Sequence, residues 1–185
     1  MFLISNNGCN QAPKQETLNR GTAYLDKGMY DEAINEFTKA IQMDPKNIYA
    51  YESRGFAYTM KDSFDEAIND HTKVIEINPR YADAYYGRGL VYGMKGNFDQ
   101  ALTDCNKAIE INPKNANAYD SRGVVYRMKG DFDQAIYDHT KAIEINPKYV
   151  DAYWSRGLAY AKKNIRFCLV ITKAMRKQRF CQKEN

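Results

Sequence analysis

Long apolar runs are missing from this sequence of 185 residues. Near the N-terminus only Phe2, Leu3 and Ile4 are consecutively apolar, whereas the core of a secretory signal needs about 7 to 15 apolar residues. No segment approaches the roughly 20 apolar residues that a membrane-spanning helix requires. We therefore expect a cytoplasmic protein.

The sequence also lacks the short motifs of common catalytic and metal sites. It has no glycine-rich phosphate loop and no HExxH motif, and its four cysteines show no CxxC spacing. Two adjacent pairs, Asp70-His71 and Asp138-His139, are present, but neighbouring side chains on a helix point about 100° apart. We therefore expect no enzyme activity, no metal and no cofactor, with both histidines packed between helices and Cys105 buried.

What the sequence does contain is one pattern that recurs every 34 residues. Tyrosine follows each recurring glycine by three residues, and alanine and proline recur later in the repeat. Apolar positions within a repeat follow helical periodicity, which predicts two helices, A and B, in each repeat. The recurring glycines are Gly21, Gly55, Gly89, Gly123 and Gly157.

The pattern divides the chain into an array and two flanking segments. Residues 1–13 precede the array and are expected to form a short disordered segment, and residues 164–185 depart from the pattern. The predicted repeat array, 14–163, consists of repeats 14–47, 48–81, 82–115 and 116–149 and a partial fifth repeat, 150–163.

Local signals mark the ends of helix B. Ser63, Asn97 and Asp131 are expected to cap its first turn through their side-chain oxygens. An Asn-Pro or Asp-Pro step ends each complete repeat. Because proline lacks an amide donor and disfavours helical geometry in the residue before it, helix B is predicted to stop there.

The recurring glycine lies inside helix A, where it costs about 1 kcal/mol relative to alanine. This repeated cost indicates a requirement for close helix crossing. In the second repeat we expect Gly55 to face Ala67 and Val74 on helix B.

The spacing of small residue, tyrosine, alanine and proline resembles that of the tetratricopeptide repeat, over residues 14–163. The third and fourth repeats also share the run Lys-Ala-Ile-Glu-Ile-Asn-Pro-Lys. The resemblance implies an all-α fold, an α-solenoid (right-handed superhelix) of antiparallel helix pairs. It further implies a non-catalytic protein–protein interaction scaffold, which binds a peptide segment of a partner in the concave groove formed by the A helices.

The family's ligand-facing positions on helix A define a candidate groove in this sequence. Aromatic and methionine side chains at these positions indicate a peptide-binding surface. Acids outnumber arginine there, which indicates a basic or neutral-apolar partner. The candidate groove residues are Tyr49, Glu52, Phe56, Met60, Asp83, Tyr86, Leu90, Met94, Asn117, Asp120, Val124, Arg127, Asp151 and Trp154.

Some members of the family grip the C-terminal carboxylate of heat-shock chaperones with lysine, asparagine and arginine side chains. The matching positions here hold Leu18, Thr22, Ser53, Asp83 and Gly87. Because none of these side chains is a cation, the sequence disfavours a chaperone C-terminal carboxylate as the ligand.

An arginine precedes each recurring glycine, with tyrosines on the same helical face. A structural interpretation pairs each arginine with tyrosine rings and with an acid on helix B of its own repeat, namely Glu36, Asp70, Asp104 or Asp138. A functional interpretation makes the arginines a track for a phosphate or carboxylate ligand.

Residues 164–185 leave several interpretations open. Eight basic residues and one acid occupy 162–185, whereas the rest of the chain has 19 basic and 22 acidic residues, so a nucleic-acid partner is not expected along the repeats. The segment fits a divergent capping helix, a basic membrane-surface adaptor or a truncated repeat. The alternative function is a self-assembly module that stacks through the open C-terminal end.

Overall fold

The computed structural model describes the backbone of residues 11–181 and the side chains of residues 13–165. All regular elements in this range are α-helices, which fall into an N-terminal block ending at Ile111 and a C-terminal block beginning at Asn112. The helices are α1 (Gln11–Asp26), α2 (Tyr30–Met43), α3 (Ile48–Met60), α4 (Phe64–Ile77), α5 (Ala82–Met94), α6 (Phe98–Ile111), α7 (Ala116–Lys129), α8 (Phe132–Ile145) and α9 (Val150–Cys181).

Within each block, successive helices joined by short turns pack against one another. Odd-numbered helices are the predicted A helices and even-numbered ones the B helices. The interfaces are built around fully buried alanines, which allow close approach of the helix backbones. The predicted all-α, α-solenoid fold class is confirmed. The recurring alanine at the start of each helix B is buried in every complete repeat, as Ala33, Ala67, Ala101 and Ala135.

Helix B ends where the Asn-Pro and Asp-Pro steps predicted. The residue before each proline leaves helical geometry, and its side chain accepts a hydrogen bond from the amide two residues later. The donor–acceptor distance is 3.1 Å at all four sites, whose acceptors are Asp44, Asn78, Asn112 and Asn146. This local bond stabilises the turn that leads into the next helix A.

The predicted caps at the start of helix B are only partly correct. Asp131 accepts a hydrogen bond from the Gln134 amide at 3.2 Å, as expected, whereas Ser63 makes no such bond. Side-chain caps occur at the start of helix A instead, where Asn47 and Asn115 accept from the amide three residues on. The sequence analysis missed these two caps.

The turn between helices A and B requires a left-handed residue at one repeated position. Gly28, Gly96 and Gly130 have φ angles of 70°, 80° and 82°. Asp62 occupies the same position in the second repeat, with a φ of 57°. Because a side chain is disfavoured in this region, Asp62 is a local source of strain.

Replacing Asp62 by glycine should therefore raise the free energy of unfolding by about 0.5 to 1 kcal/mol. Urea denaturation followed by far-UV circular dichroism would measure the change. The converse substitution, Gly96→Asp, should lower stability by a similar amount. Equal midpoints for all three proteins would contradict this explanation.

Close helix crossing is confirmed at the first four recurring glycines but not at Gly157, and the neighbours predicted for Gly55 were wrong. A Cβ atom on Gly55 would lie 3.3 Å from the His71 ring and 3.4 Å from the Asp70 Cβ atom, not against Ala67 and Val74. The side chain that meets each recurring glycine in repeats one to four is the residue 16 positions later, namely Phe37, His71, Cys105 and His139. As predicted, Cys105 is buried.

The first and last helices extend beyond the predicted array, 14–163. Helix α1 begins at Gln11, so residues 11–13 are helical, and residues 1–10 lie outside the described part. Helix α9 continues without a break past residue 163 to Cys181. The interpretations of 164–185 depend mainly on side chains from 166 onward, which lie outside the described residues.

Candidate protein-binding surface

Two neighbouring A helices of the N-terminal block expose a row of large apolar side chains. On α3, Tyr49, Phe56 and Met60 are 50%, 50% and 49% exposed. On α5, Leu90 and Met94 are 37% and 50% exposed. Their spacing of four and seven residues places them along one stripe of each helix. The stripe is unusual, because side chains of this size are ordinarily buried in a helical core.

One end of this apolar row contacts α1. The hydroxyl groups of Thr22 on α1 and Tyr49 on α3 are 2.7 Å apart, which ties the two A helices together. Asp83 and Tyr86, the other predicted groove residues of α5, are exposed and half-buried respectively. Within the N-terminal block, α3 therefore has α1 and α5 as its neighbouring A helices.

In the C-terminal block, α7 and α9 carry the remaining predicted groove residues. Trp154 on α9 is 71% exposed, and Asp151 and Asn117 are also exposed. Val124 and Arg127 on α7 are half-buried. The tryptophan is therefore the largest available apolar contact among the predicted groove residues of this block.

Two of the predicted ligand-facing acids are used inside the chain. Glu52 Oε1 lies 3.1 Å from His71 Nδ1, and Asp120 Oδ1 lies 2.7 Å from His139 Nδ1. Asp120 is only 8% exposed. These carboxylates orient the histidines that pack against the helix A glycines, which differs from the expectation that they face a partner. Each histidine thus makes a hydrogen bond through one ring nitrogen while it packs between helices, as expected.

The arginines of the four complete repeats each pair with the helix-B acid of their own repeat, as the structural interpretation predicted. Arg54 donates from Nε and Nη2 to the two oxygens of Asp70 at 2.8 and 2.7 Å. Arg88 with Asp104 and Arg122 with Asp138 repeat this two-bond geometry at 2.7 to 2.9 Å. Tyrosine rings flank the guanidinium groups, with Tyr51 and Tyr58 centred 5.6 and 5.9 Å from Arg54.

These internal bonds occupy the arginine donors that an anionic ligand would need. Arg88 also donates from Nη1 to Thr72 on the preceding helix B at 3.1 Å. Hydrogen bonding to Asp104 raises the pKa of Arg88 above its usual value, and partial burial opposes that shift. The geometry favours a structural role for the arginines over a ligand track.

The positions that match the chaperone clamp are unsuited to a carboxylate ligand. Leu18 is buried, and Thr22 is hydrogen-bonded to Tyr49. A Cβ atom on Gly87 would lie 2.6 Å from the His71 ring. These three positions serve helix packing and supply no cation to the surface.

Neither a metal-binding cluster nor a membrane-spanning helix occurs among the described residues. These residues contain no cluster of three or more histidine, cysteine, aspartate or glutamate side chains placed to bind a metal ion. In the same part of the chain, no helix combines the length and the apolar character needed to span a bilayer, and α9 with its 32 residues is no exception.

Sequence comparison identifies the class of protein to which these repeats belong. A family profile described as TPR repeat matches residues 21–62, 58–96 and 123–164, and profiles described as Tetratricopeptide repeat match 82–115 and 105–137. The chain belongs to the tetratricopeptide repeat family. Proteins of this family are generally non-catalytic protein–protein interaction modules. The comparison with curated proteins gives no match.

Solved structures extend this similarity over most of the chain. The MamA protein is 31% identical, with a TM-score of 0.68 over 85% of this chain and 86% of its own. A tetratricopeptide repeat protein from Parabacteroides merdae is 28% identical, with a TM-score of 0.73 over 90% and 66%. The first TPR of Spaghetti (RPAP3), bound to the HSP90 peptide SRMEEVD, is 26% identical, with a TM-score of 0.60 over 63% and 93%.

Proposed function

We propose that this protein is a non-catalytic scaffold that binds a peptide segment of a protein partner on the exposed faces of its A helices. The observation that carries the proposal is the row of apolar side chains on α3 and α5. These side chains are 37% to 50% exposed, even though α3 and α5 are adjacent helices. Contiguous exposed apolar surface on a folded domain is typical of an interaction site.

The chemistry of this row favours aromatic or aliphatic anchors in the partner. Tyr49 and Phe56 offer rigid rings, and Met60 and Met94 offer flexible thioethers that adapt to the shape of an inserted side chain. A peptide that lies across α3 and α5 would place its apolar side chains between these residues. Affinity would then come mainly from a few buried anchors.

Charge contributes less to this proposal than the sequence indicated. Glu52 and Asp120 are bonded to histidines, so Asp83 and Asp151 are the predicted groove acids that are exposed. Exposed acids mainly affect association rate and specificity. We retain a basic or neutral-apolar partner on this basis. The absence of cations at Leu18, Thr22 and Gly87 disfavours a chaperone C-terminal carboxylate.

The proposal is tested with a peptide selected against the full chain from a random-sequence display library. Phe56→Ala and Met94→Ala should each weaken its binding by about 1 to 3 kcal/mol, measured by isothermal titration calorimetry, because each removes a half-exposed anchor. The effect should appear mainly as faster dissociation.

Tyr137→Ala is the matched control for these groove variants. Tyr137 is 54% exposed but lies on α8, a B helix, so its removal should leave the affinity unchanged. The groove proposal fails if the peptide binds the Phe56 and Met94 variants as tightly as the parent chain. It also fails if Tyr137→Ala weakens binding more than either groove variant does.

A further inference from the structure

Four complete repeats share one interlocking contact between their two helices. An Arg-Gly pair on helix A meets an acid on helix B, and the residue after that acid covers the glycine. We call the acid and the residue after it the helix-B pair. The four helix-B pairs are Glu36-Phe37, Asp70-His71, Asp104-Cys105 and Asp138-His139.

Helix α9 carries the same Arg-Gly pair without a helix-B pair. Among the described residues, no atom lies within 4 Å of a Cβ atom built on Gly157, and the glycine is exposed, whereas the equivalent glycine is buried in all four complete repeats. Arg156 donates to Thr140 at 3.3 Å and stacks on Tyr153, but no carboxylate among the described side chains pairs with it.

The two tyrosines on the same helical face as Gly157 are also exposed to solvent. Tyr153 and Tyr160 are 46% and 49% exposed, whereas Tyr119 and Tyr126, their equivalents on α7, are half-buried. The surface formed by Tyr153, Arg156, Gly157 and Tyr160, which we call the α9 face, therefore has the shape and chemistry of a helix-B docking site without its occupant.

The segment that follows Gly157 in α9 lacks the residues of a helix-B pair. Sixteen positions after Arg156 and Gly157 stand Thr172 and Lys173, neither of which is an acid or an aromatic residue. Leu169 replaces the alanine that lets helix B approach closely in the other repeats. Moreover, α9 runs as one helix to Cys181, so this segment does not turn back over the α9 face.

We propose that the α9 face is a docking site for one amphipathic helix of a protein partner, distinct from the peptide surface on α3 and α5. The partner helix carries an acid followed directly by an aromatic residue or histidine. Small residues lie three positions before the acid and three after the ring, as in Ala135, Asp138, His139 and Ala142 of α8.

In this complex the acid accepts two hydrogen bonds from Arg156, the ring covers Gly157, and the small residues permit the close crossing. A second copy of α9 is a poorer occupant, because the two Arg156 guanidinium groups would face each other without an acid. Charge complementarity therefore selects a partner helix over self-association through α9.

The α8 sequence itself supplies the probe. A fluorescently labelled peptide of residues 132–145, titrated into the full chain, should bind saturably in an anisotropy assay. Reversing the acid of the helix-B pair in the peptide, Asp138→Lys, should weaken binding at least tenfold. The matched peptide Asp133→Lys, which alters an acid outside the helix-B pair, should bind as the parent peptide does.

Variants of the chain locate the binding. Gly157→Leu should weaken binding at least tenfold by blocking the approach of the ring, and its Cβ atom would lie within 4 Å of no described atom of the free chain. Arg156→Glu should also weaken it, and the peptide Asp138→Arg should restore binding to that variant. The groove variant Phe56→Ala should leave peptide binding unchanged, so this proposal and the groove proposal fail independently.

Three results would overturn the proposal. The first is no saturable binding of the α8 peptide, and the second is binding that Gly157→Leu leaves unchanged. The third is a concentration-dependent dimer, detected by sedimentation without peptide, that Gly157→Leu dissociates. That last outcome would assign the α9 face to a second copy of the chain.

Discussion

Gly123→Leu should lower the free energy of unfolding by about 3 kcal/mol. A Cβ atom at this position would lie 2.8 Å from His139 Cε1, well inside van der Waals contact. The imidazole is fully buried and is held by its hydrogen bond to Asp120, and both features oppose its displacement. Urea denaturation followed by far-UV circular dichroism would measure the loss.

The matched control is the same substitution one repeat later. The Cβ atom of Gly157→Leu lies within 4 Å of no atom in the described part of the chain, and leucine is a better helix former than glycine. Its effect should be neutral or a gain of up to about 1 kcal/mol. Equal destabilisation by both substitutions would show that the contact with His139 is not the reason for glycine at this position.

Asp138→Ala should be at least as damaging, with a loss of about 3 to 5 kcal/mol. The carboxylate is fully buried and accepts two hydrogen bonds from Arg122, whose side chain is 17% exposed. Removing the acid leaves the largely buried Arg122 guanidinium without a counter-charge. The cost of keeping this unpaired charge away from water accounts for most of the expected loss of stability. Thermal and urea unfolding would both report the change.

Asp133→Ala provides the comparison at the surface. Asp133 lies in the first turn of α8 and pairs with Lys163 while its side chain is 75% exposed, so its loss should cost less than about 1 kcal/mol. The double variant Arg122→Met, Asp138→Leu should recover most of the stability lost in Asp138→Ala, because no charge is left unpaired. A double variant as unstable as the single one would contradict this.

Much of the fold could be predicted from the 34-residue spacing, because residues at the same position of successive repeats make equivalent contacts. Periodicity predicted the helix pairs, and proline chemistry predicted where helix B stops. The arginine pairing was also predictable, since Arg54 and Asp70 stand 16 residues apart in the same relation as Arg88 and Asp104. The regular spacing of opposite charges can be read from one sequence alone, and it predicts these ion pairs.

The candidate surface was less predictable, because a position on a helix does not fix what its side chain touches. Glu52 occupies a ligand-facing position, yet its carboxylate reaches His71, which lies 19 residues later. Only repeats with histidine at that helix-B position can make such a bond. The positive φ angle of Asp62 could not be predicted from the sequence either, because aspartate occurs in several turn conformations.

The groove residues remain a prediction for a related reason. Exposure of Phe56 and Met94 is a property of the free chain, whereas a binding site is defined by a partner that the sequence does not encode. The exposed apolar side chains indicate which surface of the free chain is suited to binding a partner, but they do not identify that partner.

Arg54 and Arg88 each donate to both flanking B helices, and these hydrogen bonds restrict which insertions and deletions the repeats can accept. Arg54 reaches Asp70 ahead of it and Thr38 behind it, and Arg88 reaches Asp104 and Thr72, always over 16 residues. Duplicating 34 residues in register would reproduce every one of these bonds, whereas inserting one residue within a helix would rotate later side chains by about 100°. Such a gene is expected to grow or shrink by whole repeats.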